Sequence, residues 1–321
     1  MSKVLVTGAS GFVGGHLCEL LVERGYEVIG TTRSVSVEVG AQTWELVSIG
    51  DIGGDVDWLP ILEDVDYIVH LAARVHVMDE QETDPLAAFR RVNVRGTEHL
   101  LKSAGAQGVK RVVFVSTIKV HGDDTAGAPY TSADALAPSD PYGQSKLEAE
   151  DVVDRLGKDL GFETTIIRPP LVYGPGVGGN FMRLAGLVAR GIPLPFGSID
   201  NSRSLVYVGN LCDLVCECLT NPAAAGNCFL VSDNVDLSTR QLVQSIAAAM
   251  SKRARMLPVP AVFLRFVAKL VGRTEEVSRL TDSLQVDISN TIETLAWTPP
   301  VAPQEGIRST VLWYERQRAY V

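Results

Sequence analysis

Short apolar runs rich in valine, isoleucine and leucine alternate with longer stretches of helical period through the first half of the chain. Residues 3–7 read as a buried strand, 14–24 as a helix stopped by Gly25, and 27–31 as a second strand. Further strands are predicted at 44–49, 67–72, 111–116 and 164–168, with helices over 85–106 and 141–160. Strands that are apolar on both faces and separated by helices predict a parallel sheet with a helical layer on each side.

After Arg168 the pattern changes. Pro169, Pro170, Gly174, Pro175, Gly176, Gly178 and Gly179 make a loop-rich stretch, and the elements beyond it are short and mixed. Residues 204–208 and 211–219 are apolar again and are expected to return to the sheet. The resulting division is a domain of residues 1–177, rejoined by 204–222, and a smaller C-terminal mixed α/β domain of 178–203 and 223–321. The smaller domain is expected to face the carboxyl ends of the strands, the edge where open α/β sheets bind ligands. Within it, Phe263, Leu264, Phe266, Val267 and Leu270 stand among Arg265, Lys269 and Arg273. That segment reads either as a core or subunit-contact helix or as an amphipathic helix at a membrane surface.

The chain has 321 residues, 46% of them hydrophobic and 21% charged, a composition of a globular protein. Its formal net charge of −9 disfavours nucleic acid as a partner, and an anionic substrate would need a local cluster of positive groups. Five cysteines are an odd number for a disulfide framework. Cys212, Cys216 and Cys218 lie inside an apolar helical run without a nearby histidine, so they read as core residues and no metal is expected. No secretory signal and no membrane-spanning stretch are visible, which makes the expected location cytoplasmic.

Candidate chemistry begins with Thr7-Gly8-Ala9-Ser10-Gly11-Phe12-Val13-Gly14, which follows a strand and opens a helix. In that context Gly8 makes the tight turn, Gly11 admits the pyrophosphate of a dinucleotide and Gly14 lets helix and sheet pack closely. Backbone groups of Ser10, Phe12 and Val13 complete the cradle. The second strand ends in Thr31-Thr32-Arg33-Ser34, with no acid to bond a ribose 2′-hydroxyl. Arg33 suits a 2′-phosphate instead, so NADP(H) is favoured and NAD(H) is the alternative. Asp51, followed by Ile52, is either an acceptor for the adenine amino group or an ordinary turn aspartate.

Tyr142 and Lys146 are four apart on the predicted helix 141–160 and share one face. An ammonium beside a phenol favours the phenolate, which makes the tyrosine an acid or base at a carbinol oxygen. Thr117, at the carboxyl end of the strand 111–116, is the candidate to hold the same oxygen, with Ser116 its neighbour. Asn93 interrupts a helix in which asparagine is a poor former, so it either orients a water or the lysine or simply faces solvent.

These motifs, together with His70-Leu71-Ala72-Ala73, Asn93-Val94-Arg95-Gly96-Thr97 and the run from Arg168 to Gly176, resemble the extended short-chain dehydrogenase/reductase family. The likeness is to its nucleotide-sugar epimerase, dehydratase and reductase branch and covers nearly the whole chain. It implies a Rossmann-type doubly wound parallel sheet, a homodimer formed through the two long helices, and a UDP-sugar substrate. The family's spacing selects Thr117 over Ser116. By the same resemblance Leu71, Ala72, Ala73 and Pro169 line the cofactor, Asn180 and Arg203 meet the nucleotide diphosphate, and Arg279 is a less well placed second arginine. His76 and Lys119 are candidates for the sugar pocket. Dehydratases of this family carry Asp-Glu after the catalytic threonine, where this chain has Ile118-Lys119. The segment from Thr117 to Gly122 and the loop from Arg74 to Met78 further resemble a bacterial subgroup of this branch. With Arg33, that resemblance implies NADPH-dependent reduction of a 4-keto group on a UDP-6-deoxy-N-acetylhexosamine for a bacterial surface polysaccharide as the expected reaction. The alternative is a UDP-hexose 4-epimerase with tightly bound NAD, and a third reading is a dinucleotide sensor without turnover.

Overall fold

A computed structural model of the chain describes residues 1–34, 43–75, 83–125 and 127–319. The first half runs β1 (Lys3–Thr7), α1 (Phe12–Glu23), β2 (Glu27–Thr32), β3 (Glu45–Ser48), β4 (Tyr67–His70) and α2 (Pro85–Arg90). A single π-helical turn, Arg91–Gly96, joins α2 to α3 (Thr97–Gln107), and β5 (Arg111–Val115), α4 (Pro141–Leu160) and β6 (Glu163–Arg168) follow. Seven strands form one parallel sheet in the order β3-β2-β1-β4-β5-β6 and, at the far edge, β9 (Asn227–Leu230). This is a Rossmann-type doubly wound sheet. The chain reverses its direction of winding between β1 and β4, so a crevice opens outside their carboxyl ends.

Alternation along each strand supplies both layers. Val4 and Val6 join Leu17, Cys18 and Leu21 of α1 on one face, while Leu5 turns to Leu100, Leu101 and Ala104 of α3 on the other. Helix α6 (Val208–Thr220) lies on the first face, where Cys212, Cys216 and Cys218 are buried, and burial pushes their thiols well above the usual range. Helix α4 starts sharply. Asp140 accepts a 2.6 Å bond from the Gly143 N–H, Pro141 occupies the first turn, and Gly161 at φ 81° ends the helix.

Three expectations change. Residues 205–207 do not rejoin the main sheet: β8 (Leu205–Tyr207) pairs with β7 (Leu171–Tyr173) as a separate two-stranded parallel sheet. The seventh strand comes instead from β9, which sequence reasoning placed in the smaller domain. The helix expected over 85–106 is broken by the π turn. The remaining elements, α5 (Gly179–Ala189), α7 (Thr239–Ala249), α8 (Ala261–Leu270), α9 (Thr274–Thr281), α10 (Ser289–Leu295) and α11 (Pro303–Ala319), follow in the C-terminal part. Helices α5, α7 and α11 share a further apolar core that includes Phe181, Val243, Ile246 and Val311. No helix among the described residues is long and apolar enough to cross a membrane.

Candidate active site

The glycine turn is built by close approach. Gly8 has φ 74°, and a Cβ there would meet Ala72 N at 3.0 Å; a Cβ on Gly14 would stand 2.2 Å from Gly8 O. The N-terminus of α1 has no side-chain cap, so the N–H groups of its first turn point out of the sheet edge with the positive end of the helix dipole. Ser10 Oγ and Thr32 Oγ1 are 2.9 Å apart, tying the turn to the end of β2. Phe12 and Val13 are half-buried at the start of the helix, and Arg33 is exposed just after β2. The Asp51 carboxylate is already engaged, by the Gly53 N–H at 2.9 Å and by Arg91 at 3.2 Å, as befits a turn aspartate; Ile52 beside it is buried.

Beneath this turn runs a chain of buried polar groups that sequence reasoning missed. Ala72 N–H donates to Thr7 Oγ1 at 3.2 Å, Thr7 Oγ1 lies 2.6 Å from His70 Nδ1, and His70 Nε2 lies 2.8 Å from Thr97 Oγ1. Thr97 gives its single hydroxyl proton to Asn93 O at 2.7 Å. Counting hydrogens then settles the tautomer: His70 Nε2–H donates to Thr97, and Nδ1 accepts from Thr7. Burial, then the Lys146 charge, pushes His70 down to about 3, so the ring is neutral. The available signal was a histidine closing an otherwise apolar strand.

Asn93 is buried in the π turn, a feature that recurs at functional sites. Its amide donates to Ser145 Oγ at 2.9 Å and to Arg74 O at 3.0 Å, and its carbonyl accepts from Arg74 N at 2.8 Å. Asn93 is neither solvated nor bonded to Lys146. It fixes the residue beside the lysine and the loop leaving β4.

Lys146 is buried, donates to Val115 O at 2.8 Å, and sits 3.9 Å from the centre of the Phe114 ring. Burial pushes it down to about 7 against the pull of Glu150. Half-buried Tyr142 stands four residues earlier on α4. Burial and the Asp140 carboxylate push its phenol up to about 12, while a hydrogen bond with Thr117 pulls the other way. Burial and the Asp140 charge thus hold the Tyr142 phenol protonated. Ser116 Oγ, next to Thr117, is buried at the same sheet edge without a hydrogen-bond partner.

Lys119 is committed to the protein. Its ammonium pairs with Asp140, the N-cap of α4, and with Asp123 at 3.1 Å. Pro169 O accepts from Ile118 N–H at 2.9 Å, which joins the loop after β6 to the turn after Thr117. A second missed feature is a buried ion pair, Arg168 Nη2 to Glu150 Oε2 at 2.6 Å, with Arg168 Nη1 3.0 Å from His121 Nε2. Leu71 N–H donates to Thr7 O at 3.3 Å, and Leu71, Ala72 and Ala73 are half-buried along the crevice.

At the other end of the crevice Arg203 is held by main-chain bonds with Leu237 and donates to Asp282 O at 2.9 Å. Its pKa is lowered, first by burial and then by the charge of Arg279, against Asp282 and Asp123. The fold thus places Arg279 where its charge acts on Arg203, although the sequence separates them widely. Arg279 also meets Glu275 at 3.4 Å. Asn180 is exposed on the first turn of α5, and His76 lies outside the described residues.

Residues 4–231 match the model of the NAD dependent epimerase/dehydratase family. The chain belongs to that family. It is an enzyme family, and this member is 46% identical over 310 residues to the UDP-glucose 4-epimerase of Vibrio cholerae, covering 96% of this chain and 94% of that one. It is 29% identical over 288 residues to the N-acetyl-alpha-D-glucosaminyl-diphospho-ditrans,octacis-undecaprenol 4-epimerase of Escherichia coli O157:H7, covering 86% and 83% of the two chains. Its fold matches the UDP-glucuronic acid 4-epimerase of Bacillus cereus in complex with NAD, with a TM-score of 0.79 at 21% identity over 98% of this chain and 99% of that one.

The chain's own geometry fits the family's nicotinamide dinucleotide. The uncapped helix start and the space kept by Gly8 and Gly14 form a pyrophosphate cradle, and Ser116 Oγ is a buried polar atom still to be satisfied. The NADP(H) preference read from Arg33 finds no support among the similar structures, several of which carry NAD.

Proposed function

We propose that this family member is a UDP-hexose 4-epimerase that retains NAD through turnover. The similarity to the Vibrio cholerae UDP-glucose 4-epimerase, which extends over almost all of both chains, carries this reading over the 4-ketoreductase one. The site geometry is common to both, and Ile118-Lys119 after Thr117 argues against a dehydratase.

When bound, NAD supplies a hydride acceptor at the sugar C4 and a positive charge beside the phenol. Gly8, Gly11 and Gly14 hold its pyrophosphate, and Ser116 and Pro169 stand at the nicotinamide end. Tyr142 Oη takes the proton of the C4 hydroxyl and later returns it, while Thr117 Oγ1 holds the same oxygen. Lys146, largely desolvated against Phe114, holds its charge near the phenol, so that protonation of Tyr142 tracks the charge of its surroundings. Arg203 and Arg279 anchor the diphosphate while the oxidised sugar turns over. The net reaction is an isomerisation and consumes no reductant. The two-domain division, with residues 178–203 and most of 223–321 carrying the nucleotide end, belongs to the same proposal.

Purified protein incubated with UDP-glucose or UDP-N-acetylglucosamine and no added cofactor is expected to yield the 4-epimer, and denaturation is expected to release NAD. A 4-keto sugar reduced only at the expense of equimolar NADPH, with no epimer formed, would overturn the reading.

A further inference from the structure

The strongest feature outside the active site is the segment through α8. Between Asp236 and Glu275 there is no acidic residue, in a chain of net charge −9. Residues 252–273 carry six basic side chains, Lys252, Arg253, Arg255, Arg265, Lys269 and Arg273, and all six are exposed.

Helix α8 is apolar on both sides. Leu264 and Ala268 face inward against the C-terminal core. The outward side presents Val262 (76% exposed), Phe263 (58%), Phe266 (60%) and Leu270 (71%), with Val271 (62%) just beyond the helix. At the angular spacing of an α-helix, Arg265 and Lys269 fall along one edge of that outward stripe. A surface helix of a free-standing protein normally turns polar residues outward, so an outward apolar stripe with a cationic border implies a partner. The helix is firmly seated: Arg265 Nη2 bonds Asp282 Oδ1 at 2.5 Å, and Asp282 O in turn accepts from Arg203.

We propose that α8 and its basic flanks form a docking surface for an anionic lipid membrane, with Phe263, Phe266 and Leu270 entering the headgroup region. Charge decides the occupant. A second copy joined across a two-fold axis would set this cationic strip against itself, whereas an anionic bilayer complements both the charge and the apolar stripe. Through Arg265 and Asp282 the surface adjoins the arginines at the nucleotide end, so docking would hold the crevice close to the membrane. The inference does not depend on the epimerase reading.

The test is cosedimentation of the full chain with vesicles of phosphatidylcholine alone and of phosphatidylcholine containing about one-third phosphatidylglycerol. Partition onto the anionic vesicles is expected to be at least about tenfold stronger and to weaken steeply with added salt. Phe263→Ser with Phe266→Ser is expected to lower it about tenfold, and Lys269→Glu with Arg273→Glu to abolish the preference for anionic lipid. All four side chains are exposed, and unchanged thermal melts check that the variants fold. Equal partition onto both vesicle types, or variants that bind like the parent, would overturn the proposal. So would an absence of vesicle binding combined with a halved sedimentation mass on substituting α8, which would assign the face to a second copy.

Discussion

His70 has both ring nitrogens bonded to threonines, so a second ring proton would break the Thr7 contact inside a sealed core. Its folded pKa of about 3 lies below the ordinary value of 6.5. Between those values the unfolded chain binds a proton that the folded chain refuses, so this residue's contribution falls as pH drops through 6.5 and is constant above it. The expected outcome is a loss of about 1.4 kcal/mol per pH unit below the midpoint from this one group. A His70→Gln variant, less stable at pH 7, should show a shallower decline in melting temperature between pH 6.5 and 5 than the parent. Equal slopes would show that the acid response comes from other groups. At this scale the sequence marked Tyr142, Lys146 and Thr117 but not the Thr7–His70–Thr97–Asn93 chain. Tyrosine and lysine share a helix and are legible from local spacing, whereas the chain joins residues of β1, β4, the π turn and α3.

At the scale of the element, α4 carries both side chains proposed to react, and its first turn bears on the electrostatics of Tyr142. Asp140 caps the helix and also raises the Tyr142 pKa, while Lys119 sits on Asp140. Replacing Lys119 by Met leaves that carboxylate uncompensated and should move the alkaline-side rise of kcat to higher pH by several tenths of a unit, with KM little changed. Lys119→Arg should restore the parent profile. An unshifted profile in Lys119→Met would separate the ion pair from catalysis. The helix expected over 85–106 shows the limit of periodicity in the same way. Its π turn exists because Asn93 reaches Arg74 and Ser145 and because a Cβ on Gly96 would lie 2.8 Å from Ile52 O, and neither partner is local. Likewise β9 is only four residues long and nothing in its pattern announces that it pairs with β6.

Across the whole molecule, a chain of net charge −9 would have to gather cations to bind a diphosphate, and the proposed pair is Arg203 and Arg279 of α9, whose charge acts on Arg203. Arg203→Met is expected to raise KM for a UDP-sugar at least about tenfold while kcat changes little, because the lost interaction is the same in ground and transition states. A kcat loss without a KM change would place Arg203 outside the substrate site. The sequence by itself determined the alternating strands and helices, the glycine turn and the Tyr142–Lys146 face, because each depends on neighbours within a few turns of chain. Only the tertiary structure decided that β9 completes the sheet, that Lys119 pairs with the helix cap, that His70 is a buried neutral link, and that the charge of Arg279 acts on Arg203. Those outcomes are set by pairings between distant segments, and the local pattern of apolar and polar positions carries no record of them.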